Sequence, residues 1–252
     1  MGLSGLVVGK EQNMDTEPDV FSLGGESGRL YLSDEAFKPN LTTKLLAEAV
    51  EVQEGDSVLE LGCGVGPLSI YAARKGAAKV IAVDIMPQAC ECARRNVELN
   101  GVADRVEVRN GSLFEPVQGM KFDVIIDDVS GMSEEIARIS PWYPDTIPAG
   151  GADGTEQTVE MLEQASDYLN DKGQLYFPVI SLSNWRKTLD LARNLFGSTV
   201  ELVSQKHIPF CEEFKEAMPE LERLKELNLI DFVRKRSRYV WDLSIYRAAR
   251  NS

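Results

Sequence analysis

At 252 residues and 43% hydrophobic content, the chain can bury one large core and reads most simply as one domain with additions. A formal net charge of −13 argues against a general nucleic-acid or anionic-membrane binder. No apolar stretch reaches the roughly 20 residues a membrane span requires, and the start, Met1 to Leu6, carries no basic leader.

Residues 1–36 are glycine-rich and polar, with an acidic patch at Asp15, Glu17 and Asp19, and read as an arm or lid. Pro39-Asn40-Leu41-Thr42-Thr43 opens an apolar helix ending near Val50, with Thr42 or Thr43 as its N-cap. Strands then alternate with helices. Strands are expected over 57–63, 79–85, 105–109, 122–127, 174–180 and 199–205, and helices over 67–74, 87–99, 156–169 and 184–196. A last strand over 241–247, expected to run antiparallel, makes seven. Such alternation specifies an α/β protein: a doubly wound, mostly parallel, Rossmann-like sheet covered on both faces. Two segments exceed ordinary connections, 129–155 after the fourth strand and a helical insertion over 211–236 before the last. Both emerge where the strands end and are read as covering a substrate pocket.

The most informative stretch is Leu59-Glu60-Leu61-Gly62-Cys63-Gly64-Val65-Gly66, followed by Val80-Ile81-Ala82-Val83-Asp84. An apolar run enters a loop with glycine at every second position, a helical pattern follows, and a second apolar run ends in a carboxylate about twenty residues on. Glycines let backbone approach a ligand closely, and a carboxylate at the second strand tip can accept from both hydroxyls of a ribose. Glu60, two residues before the first glycine, would repel a pyrophosphate but suits a ligand carrying a sulfonium and an ammonium. The four cysteines, Cys63, Cys90, Cys92 and Cys211, show neither a disulfide framework nor metal-ligand spacing, so no metal is expected. Free thiols fit a reducing cytosol, and a soluble cytoplasmic protein is the plain reading.

The glycine stretch resembles motif I of class I S-adenosylmethionine (SAM) methyltransferases, with Asp84 where that family holds the ribose. Residues 37–252 are accordingly read as the SAM-binding domain, and 37–181 resemble the branch that includes the release-factor glutamine methyltransferases. Pro39-x-x-Thr42 and the loop Pro148 to Gly154 carry that likeness. The resemblance implies cofactor contacts from Glu60, Gly62, Cys63, Gly64, Gly66, Asp84, Ile85, Ser112, Leu113 and Asp128. It breaks at the branch's Asn-Pro-Pro-Tyr motif, where Asp128 falls on the Asn, Val129 and Ser130 on the prolines and Gly131 on the Tyr. An acid there favours a cationic or deprotonatable nucleophile over a planar amide.

Asp128, Tyr143 and His207, the single histidine, are the candidate catalytic groups. Arg234-Lys235-Arg236-Ser237-Arg238 reads first as a solvated helix end and second as an anion-binding rim. The expected activity is methyl transfer from SAM to a small molecule, or to a protein side chain as the lesser option, with no nucleic-acid or membrane partner. Two alternatives keep the fold: an enzyme that cyclises SAM itself and releases methylthioadenosine, and a non-catalytic SAM-binding regulator.

Overall fold

The computed structural model describes residues 17–34, 36–144 and 146–250. Asp15 and the rest of 1–16 lie outside the described residues. The order of elements is β1 (Asp19–Leu23), β2 (Glu26–Leu30), α1 (Leu41–Ala49), β3 (Ser57–Leu61), α2 (Pro67–Arg74), β4 (Lys79–Asp84), α3 (Pro87–Leu99), β5 (Val106–Asn110) and β6 (Phe122–Asp127). It continues through α4 (Glu134–Ile139), α5 (Glu156–Tyr168), β7 (Leu169–Ile180), α6 (Trp185–Phe196), β8 (Glu201–Pro209), α7 (Glu212–Glu216), α8 (Met218–Glu226), β9 (Val233–Lys235) and β10 (Arg238–Ala249).

One sheet carries the fold, in the order β5-β4-β3-β6-β7-β10-β8, with β9 paired to the start of β10. Neighbours from β5 through β7 run parallel, whereas β10 is antiparallel to both β7 and β8. The order reverses beside β3, so the crevice at the carboxyl ends of β3 and β6 is the natural ligand position of a doubly wound sheet. Burial on both faces explains the near-continuous apolar runs of β3, β4 and β6. Alternation then sorts their side chains. Val58, Val80 and Ile126 join Leu46, Leu68 and Ala93 of α1, α2 and α3 on one face. Leu59, Ile81 and Ile125 join Met161 and Leu189 of α5 and α6 on the other.

Several local outcomes differ from the sequence reading. The N-cap of α1 is Asn40, whose side chain accepts from the amides of Thr42 (2.8 Å) and Thr43 (3.1 Å) while Thr43 Oγ1 accepts from the Asn40 amide, a full capping box. Residues 19–30, within the stretch read as an arm or lid, form the antiparallel hairpin β1–β2. A short helix, α4, folds within 129–155. The Arg234–Arg238 run is no helix end: β9 and β10 make it a hairpin, with Arg236 at φ +58° in the turn. In the 211–236 segment, Phe214, Leu221 and Leu224 are buried, and the ring of Phe214 meets that of Trp142 edge-on at 5.2 Å, tying this segment to the 129–155 loop. Among the described residues no helix is long and apolar enough to cross a membrane.

Candidate active site

A cleft of about 840 Å³ opens over the carboxyl ends of the strands. Its floor is the loop after β3. The amides of Gly62 and Cys63 both donate to the carbonyl of Val83, bending the loop over the end of β4. Gly62 holds φ +76°, and a Cβ there would stand 2.8 Å from the carbonyl oxygen of Asp128. Only glycine permits this approach of the β3 and β6 ends. Gly64, at φ +52°, passes its amide to Asp84 Oδ2 at 2.8 Å, and the Met86 amide donates to Oδ1 at 2.9 Å. The Asp84 carboxylate is thereby oriented, with further acceptor capacity on each oxygen, as a ribose contact demands. Burial nonetheless pushes its acidity down, raising the pKa against those two hydrogen bonds.

Beside Asp84 lie Ile85, exposed and apolar, and the Gly111-Ser112-Leu113 turn after β5. Leu113 sits at φ +42°, a region that a branched side chain enters at a cost of about 1–3 kcal/mol. Apolar Ile85 and Leu113 with polar Ser112 offer what a purine ring needs, two faces and an edge. The donor set therefore fits the nucleoside of SAM.

Asp128 lines the cleft where β6 ends, and Thr43 Oγ1 donates to its Oδ2 at 3.0 Å. Burial pushes its pKa up to about 8, opposed by the Thr43 bond and aided by neighbouring Asp127. Asp127 faces away into the α5 side; it is fully buried, its Oδ2 lacks a partner among the described residues, and burial raises it to about 7. The far wall comes from the 129–155 segment. Tyr143 donates to the Pro148 carbonyl at 2.8 Å and lies 2.5 Å from the Ser130 hydroxyl. The ring of Phe37 meets it edge-on at 5.2 Å. Trp142, Trp241 and Ile208 complete an aromatic and apolar end.

Three expected site residues fall outside the cleft lining. Glu60 shares a face of β3 with Val58, so alternation aims it at α2, where the hydroxyl and amide of Ser69 donate to it. It caps α2 from below the loop, and burial lifts it to about 8. Gly66 is the N-cap of α2, and the Cβ it lacks would press on Ala93 Cβ at 3.3 Å; it serves the packing of α2 on α3. His207 lies on β8, the outermost strand, and alternates outward from Ile208 to pair with Asp242. Conversely, Thr43 and Trp241 were not singled out for the site. The Asn40-x-x-Thr43 spacing signals a capping box but not that the cap hydroxyl would reach an acid 85 residues away.

A family model described as ribosomal protein L11 methyltransferase (PrmA) matches residues 40–151. A Methanocaldococcus jannaschii protein described as a "putative protein N5-glutamine methyltransferase" is 32% identical over 187 residues, 74% of this chain and 93% of that protein. The ribosomal protein L11 methyltransferase of Bacillus licheniformis is 35% identical over 147 residues, 57% of this chain and 46% of the relative, so the chain spans about half the length of this L11 relative. Among solved structures, the Thermus thermophilus 16S rRNA N2 G1207 methyltransferase, in complex with AdoMet and guanosine, superposes with TM-score 0.62 at 17% identity, covering 94% of this chain and 52% of that one. The M. jannaschii tRNA m1G37 methyltransferase superposes with TM-score 0.57 at 14% identity, covering 94% and 58%. At such identities these two speak to the fold alone. The expectation of a small-molecule acceptor with no nucleic-acid partner is corrected here, because the similar proteins are named for acting on proteins or RNA. The sequence match along most of the archaeal relative, joined to the strand order and the glycine loop, shows that this chain belongs to the class I S-adenosylmethionine-dependent methyltransferase family.

Proposed function

We propose that the chain methylates an amine nitrogen of a protein. The observation that carries this reading is Asp128, a buried carboxyl held by Thr43 where the nucleoside end of the cleft meets its aromatic end. Bound SAM supplies an electrophilic methyl on a sulfonium; the rest falls to the chain. Asp84 would accept from the ribose hydroxyls, Ile85, Leu113 and Ser112 would hold the adenine, and the Gly62 to Gly64 backbone would leave room for the tail. Ionised Asp128 complements the sulfonium and accepts the proton that an attacking amine must shed once it gains a methyl. A base titrating near the working pH suits that task.

Amide nitrogen fits less well. Val129 and Ser130 stand where two prolines would fix a second acceptor, leaving one carboxyl for two amide protons. Tyr143, held by Ser130 and Pro148, walls the acceptor end and keeps water out, so positioning and desolvation supply much of the rate. The 129–155 segment lines this end, the 211–236 segment, which was expected to cover it, lines none of it and only backs Trp142 through Phe214, and both named sequence relatives are protein methyltransferases.

The test is transfer from methyl-tritiated SAM to unmodified ribosomal protein L11 and to peptides with a central lysine or glutamine. Label in N-methyllysine after acid hydrolysis is expected. Label released as methylamine would mean amide methylation, and methylthioadenosine formed without any acceptor would mean that SAM is itself the substrate; either result overturns the proposal.

A further inference from the structure

Arg234, Lys235, Arg236 and Arg238 are all exposed on the β9–β10 hairpin, and none forms an ion pair with another described residue. Elsewhere in this chain of net charge −13 many surface cations do pair, as Lys187 does with Asp153, Arg223 with Glu135 and Arg247 with Glu201. The hairpin's position is equally specific. The Asp231 amide donates to the Ser181 carbonyl, one residue past the end of β7, so β9 rises from the carboxyl edge of the sheet. Val240 pairs with Val233 of β9 and with Pro209 of β8. Its neighbour Trp241 pairs with Ile208, and both line the aromatic end of the cleft. Four cations without an ion pair, one of them Arg234 over the ring of Tyr239 at 5.9 Å, thus sit on the hairpin whose second strand runs on into the acceptor end of the cleft.

A second observation lies beneath them. Trp241 is only 8% exposed, yet its indole Nε1 has no hydrogen-bond partner among the described residues. Trp185 Nε1 is likewise without a partner, but only Trp241 lines the cleft, where its donor is free for an acceptor that arrives with a ligand. Polypeptide offers a carbonyl at every residue. The neighbouring helices decide between polyanions. α7 and α8 expose Glu212, Glu213, Glu216 and Glu222, which would repel a nucleic-acid backbone charged at every nucleotide. A polypeptide can place a few carboxylates against the hairpin and none against the helices.

We infer that the β9–β10 hairpin is the docking surface for the acceptor, and that it takes an acidic stretch of polypeptide next to the methylated residue. This rests on the reading of the acceptor as a protein. The experiment measures fluorescence anisotropy of the full chain with three labelled probes: a Glu/Ser 12-residue peptide, its Gln/Ser counterpart and a 12-nucleotide single-stranded RNA. The acidic peptide is expected to bind at least tenfold more tightly than the neutral one and to weaken severalfold from 50 to 300 mM salt. The double variant R234E/R236E should lose that binding, whereas K172E, an exposed cation at the opposite end of β7, should keep it. Equal binding of both peptides, or acidic-peptide binding that survives R234E/R236E, overturns the inference. RNA bound more tightly than the acidic peptide, and lost in the double variant, overturns the assignment to polypeptide. SAM affinity, measured by calorimetry on the same samples, should be unchanged in R234E/R236E. Failure of the hairpin is thereby distinguished from failure of the cofactor site, and methyl transfer to peptides tests the amine reading separately.

Discussion

In the proposed reaction Asp84 and Asp128 divide the work of the site at the scale of single residues. The Asp84 carboxylate is fixed by two backbone amides and retains acceptor capacity on both oxygens. D84A should weaken SAM binding about 10- to 100-fold by calorimetry, the loss expected when charge-assisted hydrogen bonds of about 1.5–3 kcal/mol disappear. The role proposed for Asp128 comes later, on the proton. D128N keeps the shape and the Thr43 contact but cannot take a proton, so kcat should fall about 10²- to 10⁴-fold, and SAM should bind more weakly as well because the charge that complements the sulfonium is gone. In the wild type, kcat/KM should rise with pH through about 8, because the base works only when ionised and burial holds its pKa there. A bound sulfonium favours the charged form, so the corresponding limb in kcat should lie at lower pH. A kcat/KM profile flat from pH 6.5 to 9 would remove Asp128 from the role of base.

At the element scale, α1 links its cap to Asp128. Its capping box uses the Thr43 hydroxyl to accept from the Asn40 amide, and the same hydroxyl donates to Asp128. T43V should therefore do two things at once. Loss of the cap hydroxyl should lower stability by about 1 kcal/mol. Loss of the donor to the Asp128 carboxylate should move the rising limb of kcat/KM to higher pH, which weaker helix capping alone would not do. N40A breaks the cap and spares the Asp128 contact, so a limb shift in N40A equal to that in T43V would refute the link. α2 illustrates a different sharing. The carboxyl at the end of β3 caps it from below through Ser69, so Glu60 holds the loop's shape instead of lining the cleft.

For the whole molecule, burying Glu60, Asp127 and Asp128 together has a predictable consequence. Burial raises them to about 8, 7 and 8, so the folded chain holds protons that the unfolded chain releases near pH 4. The native state binds more protons in that interval, and stability must fall as pH climbs from about 4.5 to about 8. Thermal melts of the ligand-free protein should show Tm dropping across that window. E60Q, which can still accept from Ser69 but has no charge to bury, should flatten part of the drop; a variant with the wild-type slope would mean that Glu60 does not titrate there. SAM offsets the clustered negative charge and S-adenosylhomocysteine, which has no sulfonium, does not. The difference between their stabilising effects should therefore widen with pH.

The linear order of residues was enough for the parallel core and its glycine loop. Apolar runs of strand length, helical periodicity between them and a terminal carboxylate are local signals, and β3, β4, β6, Gly62, Gly64 and Asp84 lie where those signals point. Seven strands of the central sheet were legible for the same reason. Other outcomes depend on contacts distant in sequence. Thr43 meets Asp128 across 85 positions, and Trp241 reaches the cleft only because β10 runs back between β7 and β8. His207 was set outside by the alternation of an edge strand, and Glu60 by the face of β3 it occupies. The Arg234–Arg238 run carries no periodicity that separates a helix end from a hairpin; pairing with β10 decides it, and the same pairing places its charge at the rim. Short-range backbone and hydrophobic preferences can be read along the chain, whereas the convergence of side chains on one site is a property of the packed sheet.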